Sequence, residues 1–285
     1  MTPGARGERV DDRTSGARIA AVILWAAAAA ACGARLPKLP AAGGPPAADM
    51  AAVALQARSA CNAVNSMSAE ISVSGSIGGH RLRARLLGGF TAPSVRLEAV
   101  APAGPPFFIF VANGEDATLL LPRDNAVLRR GRSDDVLEAI AGVRLGPSEL
   151  LRTLTGCAEP GRWSGGVAAG EHWRIASGEH GGKMYFHRDS ASAPWHIATL
   201  LYPGAELQWS WRADYNDFRQ GLPSSIHLVS ADRHGFDLEV KLSQVDVGAP
   251  LGGDVFRVQI PRDAQPITID ELRRSGVFGR KSDGG

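Results

Sequence analysis

Residues 93–131, PSVRLEAVAPAGPPFFIFVANGEDATLLLPRDNAVLRRG, decide the fold. They read as four short strands joined by turns. Val95, Leu97 and Ala99 alternate with Arg96 and Glu98, and the connection Ala101–Pro106 follows. Asn113-Gly114 and Pro122–Asn125 mark the later turns. Phe107–Ala112 and Ala117–Leu121 are apolar on both faces. A strand with one wet face alternates apolar and polar residues, so an unbroken apolar run needs cover on both sides. A core supplies one cover. Helices, or a cavity holding something apolar, must supply the other.

Towards the N-terminus, Asp49 stands where it would cap a helix from Met50 to about Asn65. Met50, Val53, Ala54, Ala57, Cys61 and Val64 recur at helical spacing, which makes one face apolar. Strand patterns follow in Ala69–Ser74 and His80–Leu87, joined at Gly78-Gly79 as a hairpin. Leu82, Ala84 and Leu86 face one way, and Arg81, Arg83 and Arg85 form a solvated row on the other.

Towards the C-terminus, Ser133 is expected to cap a short helix with Val136, Leu137 and Ile140 on one face. Pro147 opens the next, with Leu150, Leu151 and Leu154 inward and Gly156 as its stop. Strands are expected over His172–Ala176, Lys183–Arg188, Trp195–Tyr202, Glu206–Ala213, Ser224–Ser230, Phe236–Val245 and Val255–Ile260. Thr268 and Glu271 form a capping box on a last helix ended by Gly276. The fold class is mainly β (α+β), with about eleven antiparallel strands and three or four short helices.

The N-terminus reads as a targeting segment. Arg6, Arg9, Arg13 and Arg18 precede an apolar run from Ile19 to Ala31 of about 13 residues, whereas a membrane-spanning helix needs about 20. The run ends Ala29-Ala30-Ala31-Cys32, which resembles the lipobox of bacterial lipoproteins, with Ala29 where that motif usually has Leu. The resemblance implies cleavage before Cys32 and acylation of that residue; a plain A-x-A cleavage site with a bystander cysteine is the alternative. Residues 33–48, rich in Pro, Gly and Ala, then form a tether. The expected division is a lipoprotein signal peptide over 1–31, an anchored tether over 32–48, one domain over 49–277 and a disordered tail over 278–285.

The whole chain carries a formal net charge of only +2, which argues against a nucleic-acid partner, because phosphate binding needs clustered basic charge. A monomer is expected. Three cysteines minus Cys32 leave Cys61 and Cys157, an even pair in an oxidising compartment. A bridge between them and two buried free thiols both fit, and the compartment favours the bridge. The chain has no GxSxG, HExxH, CxxC, P-loop or GxGxxG placed after a strand. The seven histidines are scattered, and Asp214 and Asp217 fall in a segment, ADYNDF, that reads as a turn. Neither a metal nor a cofactor is expected, and no catalytic residue is assigned.

The order of elements resembles the LolA/LolB superfamily of envelope proteins, which carry lipoproteins across the periplasm or receive them at the outer membrane. The resemblance rests on Val95-Arg96-Leu97-Glu98 followed by Pro102-Ala103-Gly104-Pro105. It rests also on Gly142–Pro147 leading into Leu150–Gly156, and on Phe256–Pro261 near the end. It implies an open, curved antiparallel half-barrel whose concave face is lidded by helices over an apolar cavity for acyl chains. On that basis the cavity-lining candidates are Leu82, Leu97, Phe108, Phe110, Leu119, Leu121, Trp209 and Leu238. Family receptors present an apolar residue on a membrane-facing loop. The corresponding loop here is Ala101–Pro106, with Phe107 the nearest large apolar side chain.

These expectations define an exported, lipid-anchored, non-enzymatic protein at the periplasmic face of the outer membrane. Its partners are the membrane and the acyl chains of lipids or lipoproteins, with a role in lipoprotein localisation. A structural lipoprotein with a filled core and no transported ligand is the alternative. An envelope hydrolase would need an inward histidine, such as His187 or His227, beside a carboxylate.

Overall fold

Two antiparallel meanders meet along one long strand pair. The computed structural model describes residue 1 and residues 36–159, 161–163, 165–178, 181–204, 209–232 and 235–275. The expected signal peptide, Cys32 and the tail lie outside the described residues. The fold belongs to the unit from Pro40 onward.

After α1 (Met50–Ala57) and α2 (Ser59–Asn62), six strands run outward in chain order. They are β1 (Ser66–Ile77), β2 (His80–Thr91), β3 (Ser94–Val100), β4 (Ile109–Asn113), β5 (Asp116–Leu121) and β6 (Ala126–Arg132). Two helices follow, α3 (Ser133–Ala141) and α4 (Pro147–Thr155). A second meander then comprises β7 (Val167–Ala169), β8 (Trp173–Ser177), β9 (Lys183–His187), β10 (His196–Pro203), β11 (Trp209–Arg219), β12 (Leu222–Ser230) and β13 (Phe236–Val247). The chain closes with β14 (Gln265–Pro266) and α5 (Ile269–Ser275).

β13 returns to pair antiparallel with β1, from Ile77↔Phe236 to Met67↔Val247, and this seam makes one 14-stranded sheet. The sheet is curved and unclosed, with β7 at one end and β14, parallel to β6, at the other. The order has a consequence for the helices. β6 and β7 are consecutive in sequence but lie near opposite ends of the sheet, so the connection must cross it. It does so as α3 and α4. Helix α3 packs on β5 and β6, α4 on β2, β3 and β12, and α1 on β8, β9 and β10.

Register fixes which side chains meet those helices. Leu128, Leu119, Phe110, Leu97, Gly88 and Ala69 are successive cross-strand partners from β6 to β1, so they line one face. On the same face of the second half are Phe236, Leu238, Val240 and Leu242 of β13, with Ile226 and Leu228 opposite them. These residues share one buried cluster with Val136, Leu137, Ile140, Leu151 and Leu154 of the helices. Burying each large apolar side chain contributes about 1.5–3 kcal/mol, so this inner face is the main stabilising layer.

The second face of β4 to β6 is also dry, through Val111, Leu120 and Val127. Its cover is the segment after β13. Arg96 Nη1 donates to the carbonyls of Val255 and Arg257, Asn113 Nδ2 donates to that of Phe256, and Ile267 N donates to Val127 O. Phe256 is itself buried. Residues 255–260, expected as a strand, are therefore a strap across the outer face, because side chains rather than a neighbouring strand take its carbonyls.

Helix ends differ from expectation in three places. Asp49 makes no cap; it forms a two-pronged ion pair with Arg174 at 2.8 and 2.9 Å, which holds its carboxyl below the usual range. The expected helix to Asn65 breaks at Arg58, where the Ser59 hydroxyl also donates to Gln56 O. Ser133 begins α3 but donates to Gly114 O instead of capping. The Thr268–Glu271 box is present, with Thr268 N donating to Glu271 Oε2 and Glu271 N to Thr268 Oγ1. Pro45–Ala47 pairs with Gly166–Ala168, so the chain is docked on the β7 edge before α1 begins.

Candidate functional site

Helix α4 is built to stop over the middle of the sheet. Gly146 N donates to Glu149 Oε2 at its start, and Pro147 occupies the first turn, where its missing N–H costs nothing. Gly156 ends it with φ +75, a left-handed conformation that strains other residues, and Cys157 N then donates to Arg152 O. Cys157 is bridged to Cys61 of α2, with Cα atoms 5.6 Å apart. The bridge fixes the C-terminal end of α4 against the N-terminal helices.

A cleft of about 450 Å³ opens beside that helix end. Its floor is apolar and belongs to the core: Met67 of β1, Leu154 of α4, Pro223 of β12 and Leu242 of β13. Its rim is polar, with Arg219, Gln220 and Asp246. Val245 and Val247 also border it and are exposed. The volume lies within the range of pockets that hold small ligands, about 300–1,000 Å³.

Deeper under α4 lie three hydroxyls. Thr153 and Tyr215 are buried, and the Tyr215 hydroxyl has no hydrogen-bond partner among the described residues. The Tyr202 hydroxyl is hydrogen-bonded to the Thr153 side chain, and its ring stacks on Trp211 with centroids 3.7 Å apart. Burial pushes both tyrosines well above their usual range, so each stays a protonated donor.

The cavity candidates named from sequence sit elsewhere. Leu97, Phe108, Phe110, Leu119, Leu121 and Leu238 are buried in the inner-face cluster, and Leu82 is half-buried against it. Trp209 pairs through its backbone with Pro203, and its side chain is outside the described residues. None of the seven described side chains lines the 450 Å³ cleft. Phe107 is exposed just before β4, with the Arg123 guanidinium 4.0 Å above its ring. Arg123 also donates to the carbonyls of Ala103 and Pro105, so it holds the whole proline-rich loop.

The polar candidates face the other way. ADYNDF lies inside β11, not in a turn, and only Asp217 departs from strand geometry, at φ +55. Asp214, the register partner of Thr199 and His227, points to the outer face. Asp214 Oδ1 accepts from Arg212 Nε (2.9 Å), Arg212 Nη2 (2.7 Å) and Thr199 Oγ1 (2.6 Å). His227 lies on that outer face too, with Nε2 2.7 Å from Asp237 Oδ1. Among the described residues, no three His, Cys, Asp or Glu side chains converge as metal ligands. Among the same residues, no helix is long and apolar enough to cross a membrane.

The inner face of the unclosed sheet is thus packed against the helices between β6 and β7. No protein-family model matches the sequence, and no curated protein does. Among solved structures, a DUF1329 family protein from Desulfovibrio piger is 12% identical, with a TM-score of 0.49 over 73% of this chain and 97% of its own. A LolA superfamily protein from Nitrosomonas europaea is 11% identical, with a TM-score of 0.48 over 71% of this chain and 98% of its own. A domain from Vibrio parahaemolyticus, described as outer membrane lipoprotein-sorting, is 10% identical with a TM-score of 0.48 over 73% of this chain.

Proposed function

We propose that this chain is a lipid-anchored envelope protein that binds the acyl chains of lipids or lipoproteins in an apolar cleft. Its anchor is Cys32, its place the periplasmic face of the outer membrane, and its role lipoprotein localisation. The observation that carries the reading is the cleft beside the end of α4. Its floor of Met67, Leu154 and Leu242 is continuous with the inner-face cluster, so an acyl chain passing the polar rim meets apolar surface at the floor. At about 25 cal/mol per Å² of apolar area buried, transfer needs no covalent chemistry. Leu97, Phe108, Phe110, Leu119, Leu121 and Leu238 form the wall against which a deeper chain would pack. Phe107, held by Arg123, is the side chain that would meet the membrane.

One observation favours the second reading, a structural lipoprotein with a filled interior. The inner face of the sheet packs as one cluster under the helices, and the cleft lies at its margin. Mass spectrometry of protein purified from native membranes is expected to find Cys32 acylated and lipid bound. Delipidated protein is then expected to take up a fluorescent fatty acid, and Leu222→Asp at the cleft is expected to weaken uptake. Delipidated protein that never takes up the probe establishes the filled-core reading instead.

A further inference from the structure

Arg81, Arg83 and Arg85 alternate along β2 with Leu82, Ala84 and Leu86, which pack on the inner-face cluster. The three arginines therefore leave the outer face at intervals of about 7 Å, and all three are exposed. Among the described residues, none of their side chains makes a hydrogen bond or an ion pair. Register explains why. Ser76, Ser74 and Ser72 of β1 are their neighbours on one side. Beyond those serines stand Asp237, Glu239 and Lys241 of β13, two strands from the arginines and so about 10 Å away. Asp237 is already engaged by His227. On the other side Arg85 faces Val100, where β3 ends. Elsewhere exposed arginines are neutralised: Arg132 meets Asp134 and Arg144 meets Asp135. Three like charges in a row without carboxylates repel one another, and an anionic surface laid across them relieves that repulsion.

The row has an apolar margin. Leu87 continues the same face of β2, and Val100 is the register partner of Arg85; both are exposed. Phe107, exposed too, returns beside them, its N–H donating to Ala99 O. The strap after β13 covers the outer face at Gly89, where Leu251 and Val255 adjoin, and leaves Leu87 exposed. We propose that this outer face of β2 docks on an anionic phospholipid bilayer, with Arg81, Arg83 and Arg85 on the headgroup phosphates and Leu87, Val100 and Phe107 at the acyl boundary. An arginine fork matches two phosphate oxygens, and cations beside exposed apolar side chains suit a membrane interface. An acidic protein surface would satisfy the cations and leave the apolar margin wet. The inference rests on the reading that the protein works at a membrane, and it adds which surface docks and on what lipid. It is independent of the cleft, whose Met67 and Val247 pair at the opposite end of the β1–β13 seam from Ile77, the partner of His80.

The test uses the full-length chain with Cys32→Ser, so that the anchor proposed above does not mask the surface. Binding is measured to vesicles of phosphatidylcholine alone and of an equal mixture with phosphatidylglycerol. Residues 1–31 are common to every variant, so differences between variants report the folded part. Arg81→Gln, Arg83→Gln and Arg85→Gln together are expected to weaken binding to phosphatidylglycerol vesicles about a hundredfold at low salt, from about fivefold for each arginine. Binding to phosphatidylcholine should not change. Lysine at all three positions keeps the charge and should retain most of the affinity. Leu87→Ser should weaken binding to both vesicles alike. Raising salt from about 50 mM to about 500 mM should remove the gap between the parent and the glutamine variant. Urea midpoints and fluorescent fatty-acid uptake should be the same for all three chains. A glutamine variant that binds phosphatidylglycerol as well as the parent overturns the docking face and leaves the acyl-chain reading standing, as does an equal loss on both vesicles. A gap on immobilised poly-glutamate with none on phosphatidylglycerol assigns the face to an acidic protein and overturns the bilayer. A parent that shows the vesicle gap but takes up no fatty acid overturns the cleft reading alone.

Discussion

Cys61 and Cys157 are joined across 96 residues of sequence, and the bond ties α2 to the residue that follows the stop of α4. Their Cα atoms are 5.6 Å apart, a separation that suits a disulfide. The loop it closes contains β1 to β6 and both crossing helices, so it restrains the first half of the sheet when the chain unfolds. Closing a loop of this length lowers the entropy of the unfolded chain by an amount worth up to about 4–5 kcal/mol. Reduction, or Cys61→Ser with Cys157→Ser, is expected to cost about 2–5 kcal/mol. Denaturant unfolding with and without reductant measures this, and superimposable curves would show that the bridge contributes nothing.

The seam between the two meanders depends on Gly75. It sits in β1 at φ +140, opposite Leu238 of β13, and a Cβ there would overlap the Asp237 carbonyl. The backbone of β13 cannot retreat without losing pairs on both of its sides. Gly75→Ala is therefore expected to destabilise the protein by about 1–3 kcal/mol. Gly79→Ala, at the adjacent turn with open space around its Cβ position, separates the two causes: it carries the backbone strain of φ +80 without the overlap. Thermal unfolding of the two variants side by side should show the larger loss at Gly75.

The reach of the sequence can be read from particular residues. Phe107–Leu121 is apolar on both faces, which requires two covers, and two covers exist: α3 and α4 on one side, the strap around Phe256 on the other. The nature of the strap was hidden, because Val255–Ile260 carries a strand-like composition and only Arg96 and Asn113, far away in sequence, take its carbonyls. Strands β7 and β14, of three and two residues, are too short to show any period. The helix boundary at Gly156 and the capping box at Thr268 were legible because local chemistry alone sets them. The cleft was not legible. Met67, Leu154, Pro223 and Leu242 come from four elements and have the same apolar signature as any core residue. The unpartnered hydroxyl of Tyr215 had no signal either, since a tyrosine in a strand is ordinary.

Arg212 and Asp214 test how much the outer face contributes to stability. Asp214 is 1% exposed and accepts three hydrogen bonds on one oxygen, two of them from Arg212. Taking both charges out of water costs energy that their pairing helps offset. Asp214→Ala removes the acceptor for Thr199 and a partner of a buried guanidinium, and is expected to cost about 3–5 kcal/mol. The double replacement Arg212→Met with Asp214→Leu should recover much of that loss, because an apolar pair of similar volume has no desolvation penalty. Urea midpoints for the single and double variants decide it; a double variant no more stable than the single would show that the pair is net stabilising.

His187 and His196 give the fold a dependence on pH above the carboxylate range. They are register partners on β9 and β10, with ring centroids 5.6 Å apart. Trp173 stands 4.3 Å from the His187 ring and Phe218 4.3 Å from the His196 ring. Burial lowers the pKa of both below the usual histidine value. Their mutual repulsion adds to this at His196 and that of His172 at His187, against an opposing pull from Asp189. The folded form therefore favours neutral rings, while the unfolded chain takes up protons near pH 6.5. With more protons bound in the unfolded state, stability is full above that pH and falls as pH drops below it. The urea midpoint is expected to decline between pH 7.5 and 5.5, ahead of any loss from Asp49 or Asp134, whose lowered pKa values act only nearer pH 4. His187→Phe with His196→Phe should keep the aromatic row and flatten that decline. An undiminished slope in the double variant would assign the pH dependence to other groups.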